Sequence, residues 1–157
     1  MKILITSNSC WNIYNYRLDL IKFLIKEGHE LIIACPKDKF FKKINKLNCK
    51  FIFHKFNNKS LSILENFILV INYLRIFIKH KPNLSISYTL KPNIFSSLVS
   101  KILGVNHITN ITGLGSFYLS GGIKRILYFL LFKYTNSKKN FFLFQNKYDY
   151  RLFLKKK

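Results

Sequence analysis

The sequence predicts an α/β protein with a doubly wound parallel sheet, and three observations carry that prediction. Short β-rich runs alternate with longer helical patterns along almost the whole 157-residue chain. The β-rich runs are apolar without period-two alternation, and neither an internal repeat nor a linker interrupts the series. Parallel strands need right-handed crossovers, which set helices on both faces of the sheet, and strands covered on both faces read as continuous apolar runs. A chain of this length holds one domain with a real core, so the expectation is a single Rossmann-like unit.

The elements follow in order. Lys2 to Thr6 reads as a strand, Asn15 to Glu27 as a helix with Leu18, Ile21, Leu24 and Ile25 on one face, and Glu30 to Cys35 as a strand closed by Pro36. A short basic helix is expected from Lys37 to Leu47, then a strand from Phe51 to His54 and a long helix from about Leu61 to His80. After Pro82 come the strand Leu84 to Tyr88, the helix Asn93 to Leu103 and the strand His107 to Ile111. The helix Ile123 to Tyr134, the strand Phe141 to Phe144 and a helix beginning near Tyr148 complete the series.

Composition narrows the function classes. The formal charge of +21 points towards anionic partners, but Lys, Asn, Ile and Phe make up close to half the chain, the bias of an AT-rich genome. Nucleic-acid binding is not expected, because Tyr and Phe lie at core-like positions and are not interleaved with Lys and Arg on one surface. Cys10, Cys35 and Cys49 show neither a disulfide framework nor metal-ligand spacing, so no metal is expected and a cytoplasmic chain fits. No stretch approaches the ~18 unbroken apolar residues of a spanning helix.

In sheets of this class ligands bind beyond the carboxyl ends of the strands, where strand order reverses between the first and fourth strands. That rule selects the loops NSCWNIYN, TLKPN, ITGLGSFYLSGG and QNKYD. In the first, Asn8 and Ser9 lead towards Asn15 and Arg17 at a helix amino end, where N–H groups and a guanidinium can converge on an anion. The alternative is that Asn12 or Asn15 caps the helix and Arg17 lies on the surface. In the second, Thr89, Lys91 and Asn93 begin another helix, and a lysine there opposes the helix dipole unless an anion is near. The third packs four of the six glycines into twelve positions, yet Tyr118 breaks GxGxxG and GxxxxGK[ST] finds no register. Gln145 and Asn146 follow the last strand.

In that order and spacing, MKILITSNSCWNIYNYRLDLIKFLIKEGHEL, YTLKPNIFSSLVSKILGV, NITGLGSFY and FFLFQNKYDYRLFL resemble the amino-terminal, acceptor-side half of a GT-B glycosyltransferase of the family-four type that builds bacterial surface polysaccharide. The resemblance implies one of two Rossmann-like domains facing a cleft, with acceptor held mainly by this half and a nucleotide-sugar, expected to be a UDP-sugar, mainly by the other. On that basis Thr112, Gly113 and Gly115 lie near the sugar or diphosphate, and transfer is a metal-independent displacement. Where relatives carry a glycine-rich first loop this chain has SCWN, and where they carry a histidine after the fifth strand it has TGLG. His107, at the other end of that strand, is expected to be structural, and no catalytic base is carried over. The carboxylate pair of relatives finds no EX7E spacing here, so a carboxyl-terminal donor-binding half is expected on a separate chain or in a frame of which this is a truncated part.

The implied partners are a lipid-linked saccharide acceptor and the anionic inner face of the plasma membrane. Phe40, Ile44 and Leu47 form an apolar face ringed by Lys39, Lys42, Lys43 and Lys46, a pattern suited either to anionic lipid or to packing on the sheet. Phe67, Tyr73 and Phe77 of the long helix are further candidates for membrane contact. The competing reading is a catalytically inert basic α/β module binding membrane or nucleic acid. A nicotinamide-dependent oxidoreductase is disfavoured by the missing GxGxxG and by Glu30 opening, not ending, its strand.

Overall fold

The computed structural model describes residues 1–55, 57, 60, 62–113, 122–135 and 137–154. Strands β1 (Lys2–Thr6), β2 (Glu30–Cys35), β3 (Lys50–Phe53), β4 (Leu84–Tyr88), β5 (Asn106–Ile111) and β6 (Asn140–Phe144) form one parallel sheet in the order β3-β2-β1-β4-β5-β6. The helices among the described residues are α1 (Cys10–Tyr16), α2 (Leu18–Lys26), α3 (Phe41–Ile44), α4 (Ile63–His80), α5 (Leu90–Leu103), α6 (Gly122–Thr135) and α7 (Lys147–Leu154).

Strand parity builds two cores from one sheet, because successive side chains point to opposite faces. Leu4, Ile32 and Ala34 face Leu69, Tyr73, Ile76 and Phe77 of α4, Ile94, Phe95 and Val99 of α5, and Phe132 of α6. Ile3, Ile5, Leu31, Ile33 and Cys35 face Cys10 and Ile13 of α1, Ile21 of α2 and Ile44 of α3. Tyr73 and Phe77 are therefore buried, which corrects their reading as membrane contacts, while Phe67 is exposed.

Three helices differ from the sequence expectation, each for a local reason. The expected Asn15–Glu27 helix is two helices: α1 begins early because the Ser9 side chain accepts the Asn12 N–H, and the chain breaks at Arg17, whose φ of −127° and ψ of −2° leave the helical region. The expected Lys37–Leu47 helix contracts to Phe41–Ile44, because Asp38 holds a turn by accepting the Phe40 N–H on Oδ1 at 2.8 Å. Its apolar residues pack inward: Ile44 is buried, and Phe40 and Leu47 lie against the α1-side core. Helix α5 starts at Leu90, not Asn93, since Pro92 falls in its first turn, where no N–H is needed.

Ser85 and Ser87 of β4 and His107 and Thr109 of β5 are buried and paired. His107 lies between two hydroxyls, with Ser87 Oγ 2.9 Å from Nε2 and Ser100 Oγ 3.0 Å from Nδ1, so it ties β5 to β4 and α5. This is the structural role expected for it. Thr89, between β4 and α5, has φ of 71° and ψ of 161°, a region almost reserved for glycine and one that costs a β-branched residue about 1–3 kcal/mol.

Two predictions follow from these placements. Thr89→Gly should keep or raise stability in urea, because release of strain offsets the ~1 kcal/mol entropic cost of glycine, whereas Thr6→Gly in β1 should lower it. Burial pushes the pKa of His54 from 6.5 down to about 4 and that of His107 down to about 3. Below pH 6.5 the unfolded chain therefore binds protons that the folded chain refuses, so stability falls as pH drops through that window towards those values. Each histidine adds a slope of about 1.4 kcal/mol per pH unit, and His107→Gln should remove one such share from urea melts run across the window.

Candidate functional site at the switch point

β1 and β4 are neighbours, but the chain leaves β1 towards β2 and leaves β4 towards β5, so a crevice opens beyond their carboxyl ends. The loop after β1 is short and internally bonded. Ser7 Oγ donates to Asn12 Oδ1 at 3.2 Å, Ser9 Oγ donates to Asn8 Oδ1 at 3.2 Å, and Asn12 N donates to Ser9 Oγ at 3.1 Å. Ser9, not Asn12 or Asn15, is thus the cap of α1. Asn15 is exposed and donates from Nδ2 to the Trp11 carbonyl one turn back.

The break between α1 and α2 aims Arg17 at the end of β4. Its guanidinium carbon sits 4.0 Å from the centroid of the Tyr88 ring, a cation–π contact. Burial holds the Arg17 pKa below its ordinary value, with Tyr88 and Tyr16 opposing that shift, and burial likewise raises Tyr88. Arg17 Nε is buried without a hydrogen-bond partner, as are Thr6 Oγ1, Thr89 Oγ1 and Asn110 Oδ1. These atoms belong to one neighbourhood: Thr6 pairs with Ser87 in register across β1 and β4, and Tyr88 pairs with Asn110 across β4 and β5. Native interiors leave few polar atoms unpaired, so a group of them at a strand-end crevice points to a polar ligand.

Lys91 is buried in the first turn of α5 and donates to the Asn57 carbonyl at 2.6 Å. Burial lowers its pKa, and Glu65 partly offsets that. Asn93 turns into the protein, with Oδ1 accepting from Ser87 Oγ at 2.8 Å and Nδ2 donating to the Asn110 carbonyl at 2.9 Å. Both ends of its amide pin α5 to the sheet.

Thr112 and Gly113 follow β5, and Gly115 lies outside the described residues. Gly113 has φ of 148°, and a Cβ there would stand 4.0 Å from Asp149 Oδ2. Gln145 is exposed and donates its N–H to the Ile111 carbonyl at 3.3 Å. Asn146 caps α7: its Oδ1 accepts the Asp149 N–H at 2.7 Å and its Nδ2 donates to Asp149 Oδ2 at 2.7 Å. The structure thus brings Arg17, Thr89, Lys91, Thr112 and Gly113 to one sheet edge, with Asn8, Ser9, Gln145 and Asn146 in the loops of that edge. Sequence reasoning missed Thr6, Tyr88, Asn110 and Asp149. The first three sit at strand ends, where position alone was the available signal, and Asp149 was visible in QNKYD.

The model of the family described as "Glycosyl transferase 4-like" matches residues 2–146. The N,N'-diacetylbacillosaminyl-diphospho-undecaprenol alpha-1,3-N-acetylgalactosaminyltransferase of Campylobacter jejuni subsp. jejuni serotype O:2 is 28% identical over 162 aligned positions, covering 93% of this chain and 40% of that protein. Among solved structures, the UDP-GlcNAc 2-epimerase of Methanocaldococcus jannaschii superposes with a TM-score of 0.69 at 19% identity, covering 99% of this chain and 42% of the other. A glycosyltransferase from Rickettsia africae gives 0.60 at 14% identity, covering 90% and 42%. These superpositions speak for the fold, and the chain spans about 40% of the length of the proteins it matches. With six parallel strands, the reversal between β1 and β4 and the family match over nearly its whole length, the chain belongs to the glycosyl transferase 4-like family and has the fold of an amino-terminal GT-B domain.

Proposed function

We propose that this chain is the acceptor-binding side of a glycosyltransferase that moves a sugar from a nucleotide-sugar, a UDP-sugar, to a lipid-linked saccharide. The observation that carries the reading is the half-buried cation at the switch point, which has no acidic partner among the described residues. Arg17 is stacked on Tyr88 with Nε unpartnered, beside the unpartnered hydroxyls of Thr6 and Thr89. A guanidinium held this way is suited to the phosphates or hydroxyls of a saccharide diphosphate, since a charge-assisted hydrogen bond strengthens as water is excluded. The Campylobacter relative, by its name, acts on a sugar diphospho-undecaprenol, which supports the same class of acceptor here.

In the proposed reaction an acceptor hydroxyl attacks the anomeric carbon of the donor. The bond from that carbon to the diphosphate oxygen breaks, the nucleoside diphosphate leaves with the bonding pair, and the hydroxyl proton passes to water. Most of the rate comes from holding the two reactants in line. The donor is assigned to a second Rossmann-like domain, because the EX7E spacing that would grip it in this family is not found in this sequence.

The test joins the chain to a family-four donor-binding domain, in cis or as a separate chain, and supplies UDP-N-acetylhexosamine and a polyprenyl-diphosphate-linked sugar. Transfer is expected from the pair and not from the 157-residue chain alone. Arg17→Ala should lower kcat/KM by about 10- to 100-fold, the size of one lost charge-assisted hydrogen bond. Lys91→Met should lower it less, because Lys91 already bonds the Asn57 carbonyl. Turnover by the chain alone would move the donor site into this domain, and an unaffected Arg17→Ala variant would remove Arg17 from the site.

A further inference from the structure

Cys10 and Cys35 lie 25 residues apart in the chain and face each other in the fold, with 3.6 Å between their sulfurs. Strand order brings them together. Ser7 N donates to the Ala34 carbonyl at 3.2 Å, so the chain leaving β1 stays beside the end of β2, and α1 begins at Cys10 next to Cys35, the last residue of β2. A second side holds the meeting: in its thiol form Cys10 Sγ donates to the Pro36 carbonyl at 3.4 Å, and Trp11 N donates to Asp38 Oδ2 at 3.0 Å. Both thiols belong to the α1-side core, where free cysteines commonly serve as small apolar side chains. Cys49 serves in that way, since it packs against the same core but precedes β3 at the opposite, amino edge of the sheet.

The two facing thiols are unequal. A hydrogen bond from Cys35 brings the Cys10 pKa from 9.0 down to about 7, with burial opposing and the Asp38 N–H assisting, while the same contact and burial raise Cys35. Cys10 is therefore the thiolate and Cys35 keeps its proton, the arrangement of a nucleophilic and a resolving cysteine. Their cover is thin: Trp11, beside Cys10, is 44% exposed, and Lys37, two residues past Cys35, is exposed. Among the described residues no group of three His, Cys, Asp or Glu could hold a metal ion, so a bond between the sulfurs is the chemistry this pair offers.

We propose that Cys10 and Cys35 form a modification site, at which a hydroperoxide converts the two thiols into an intrachain disulfide. The Cys10 sulfur attacks one peroxide oxygen, the O–O bond breaks, and the departing oxygen takes up the proton that Cys10 released, leaving a sulfenic acid on Cys10. The Cys35 sulfur then attacks the Cys10 sulfur, the S–O bond breaks, and hydroxide leaves as water with the Cys35 proton. Two thiols lose two electrons, and the peroxide is reduced. The sulfurs must close from 3.6 Å to about 2 Å. Since β2 is paired along both edges by β1 and β3, the first turn of α1 is the part that moves. That turn carries the cap Ser9 and the chain's single tryptophan, Trp11, so oxidation repositions the loop after β1 at the candidate site. Bond and movement are both read without donor or acceptor, so the inference is independent of sugar transfer.

The experiment treats the reduced, folded chain with hydrogen peroxide, then alkylates and digests it without reductant for mass spectrometry. A peptide pair joined through Cys10 and Cys35 is expected. Cys49 should lose its thiol at least about tenfold more slowly than Cys10, because burial raises its pKa to about 11. Tryptophan emission should shift as the bond forms and return when dithiothreitol is added. In Cys35→Ala the resolving thiol is gone, so Cys10 should stop at the sulfenic acid and be labelled by dimedone. Cys49→Ala, changed at a half-buried position, should form the same joined pair as the wild type and keeps the test decisive if Cys35→Ala does not fold. Free Cys10 and Cys35 after a peroxide exposure that fully oxidises dithiothreitol would overturn the proposal. So would equal rates of loss at Cys10 and Cys49 with no joined pair. A joined pair with unchanged tryptophan emission would overturn the movement of α1.

Discussion

The rest of the structure depends on β1 being paired along both of its edges. Ile3, Leu4, Ile5 and Thr6 stand in register with Leu31 to Ala34 on one side and with Leu84 to Ser87 on the other. A central parallel strand must be apolar on both faces, and each face then demands its own helical layer. Because the crossovers from β1 and β4 depart in opposite directions, a crevice opens between their carboxyl ends. The crevice is thus a result of strand order, and the candidate site occupies it.

That origin separates what the sequence could reveal from what it could not. Every strand was legible, because runs such as Leu31 to Cys35 have no polar interruption and end at Pro36. Helix α4 was legible to within a residue or two, its stripe being long and its start capped by Ser62. The failures lie where one side chain redirects the backbone. Ser9 draws α1 forward, Asp38 turns the chain before α3, and Pro92 sits inside α5 because a first turn tolerates it. The loops of the candidate site were legible from topology. The inward turn of Asn93 was not, since it depends on Ser87 and on the carbonyl of Asn110, residues distant in sequence.

The electrostatic character of the chain also changes once position is known. A charge of +21 is uninformative as a total, but Arg17 is held over an aromatic ring near unpaired hydroxyls, and the lysines between β2 and β3 are exposed on the α1–α2 side of the sheet. The first arrangement is half-buried and directional, and salt affects it less. The second is exposed, and salt screens it within a few ångströms. One basic protein thus holds two cationic features with different physics.

The His107 bridge has a consequence for which sequences this fold can accept. Its two ring nitrogens meet Ser87 and Ser100, so a single change at any of the three strands a buried polar partner, at a cost of about 1–3 kcal/mol. Exchanging all three together for apolar residues still strands Asn93 Oδ1, which accepts from Ser87 Oγ, so Asn93 is tied to the same group. The four positions therefore form one mutational unit in which single changes are costly. The same unit keeps β5 from sliding against β4, because a one-residue slip would turn His107 to the opposite face and break both bonds at once.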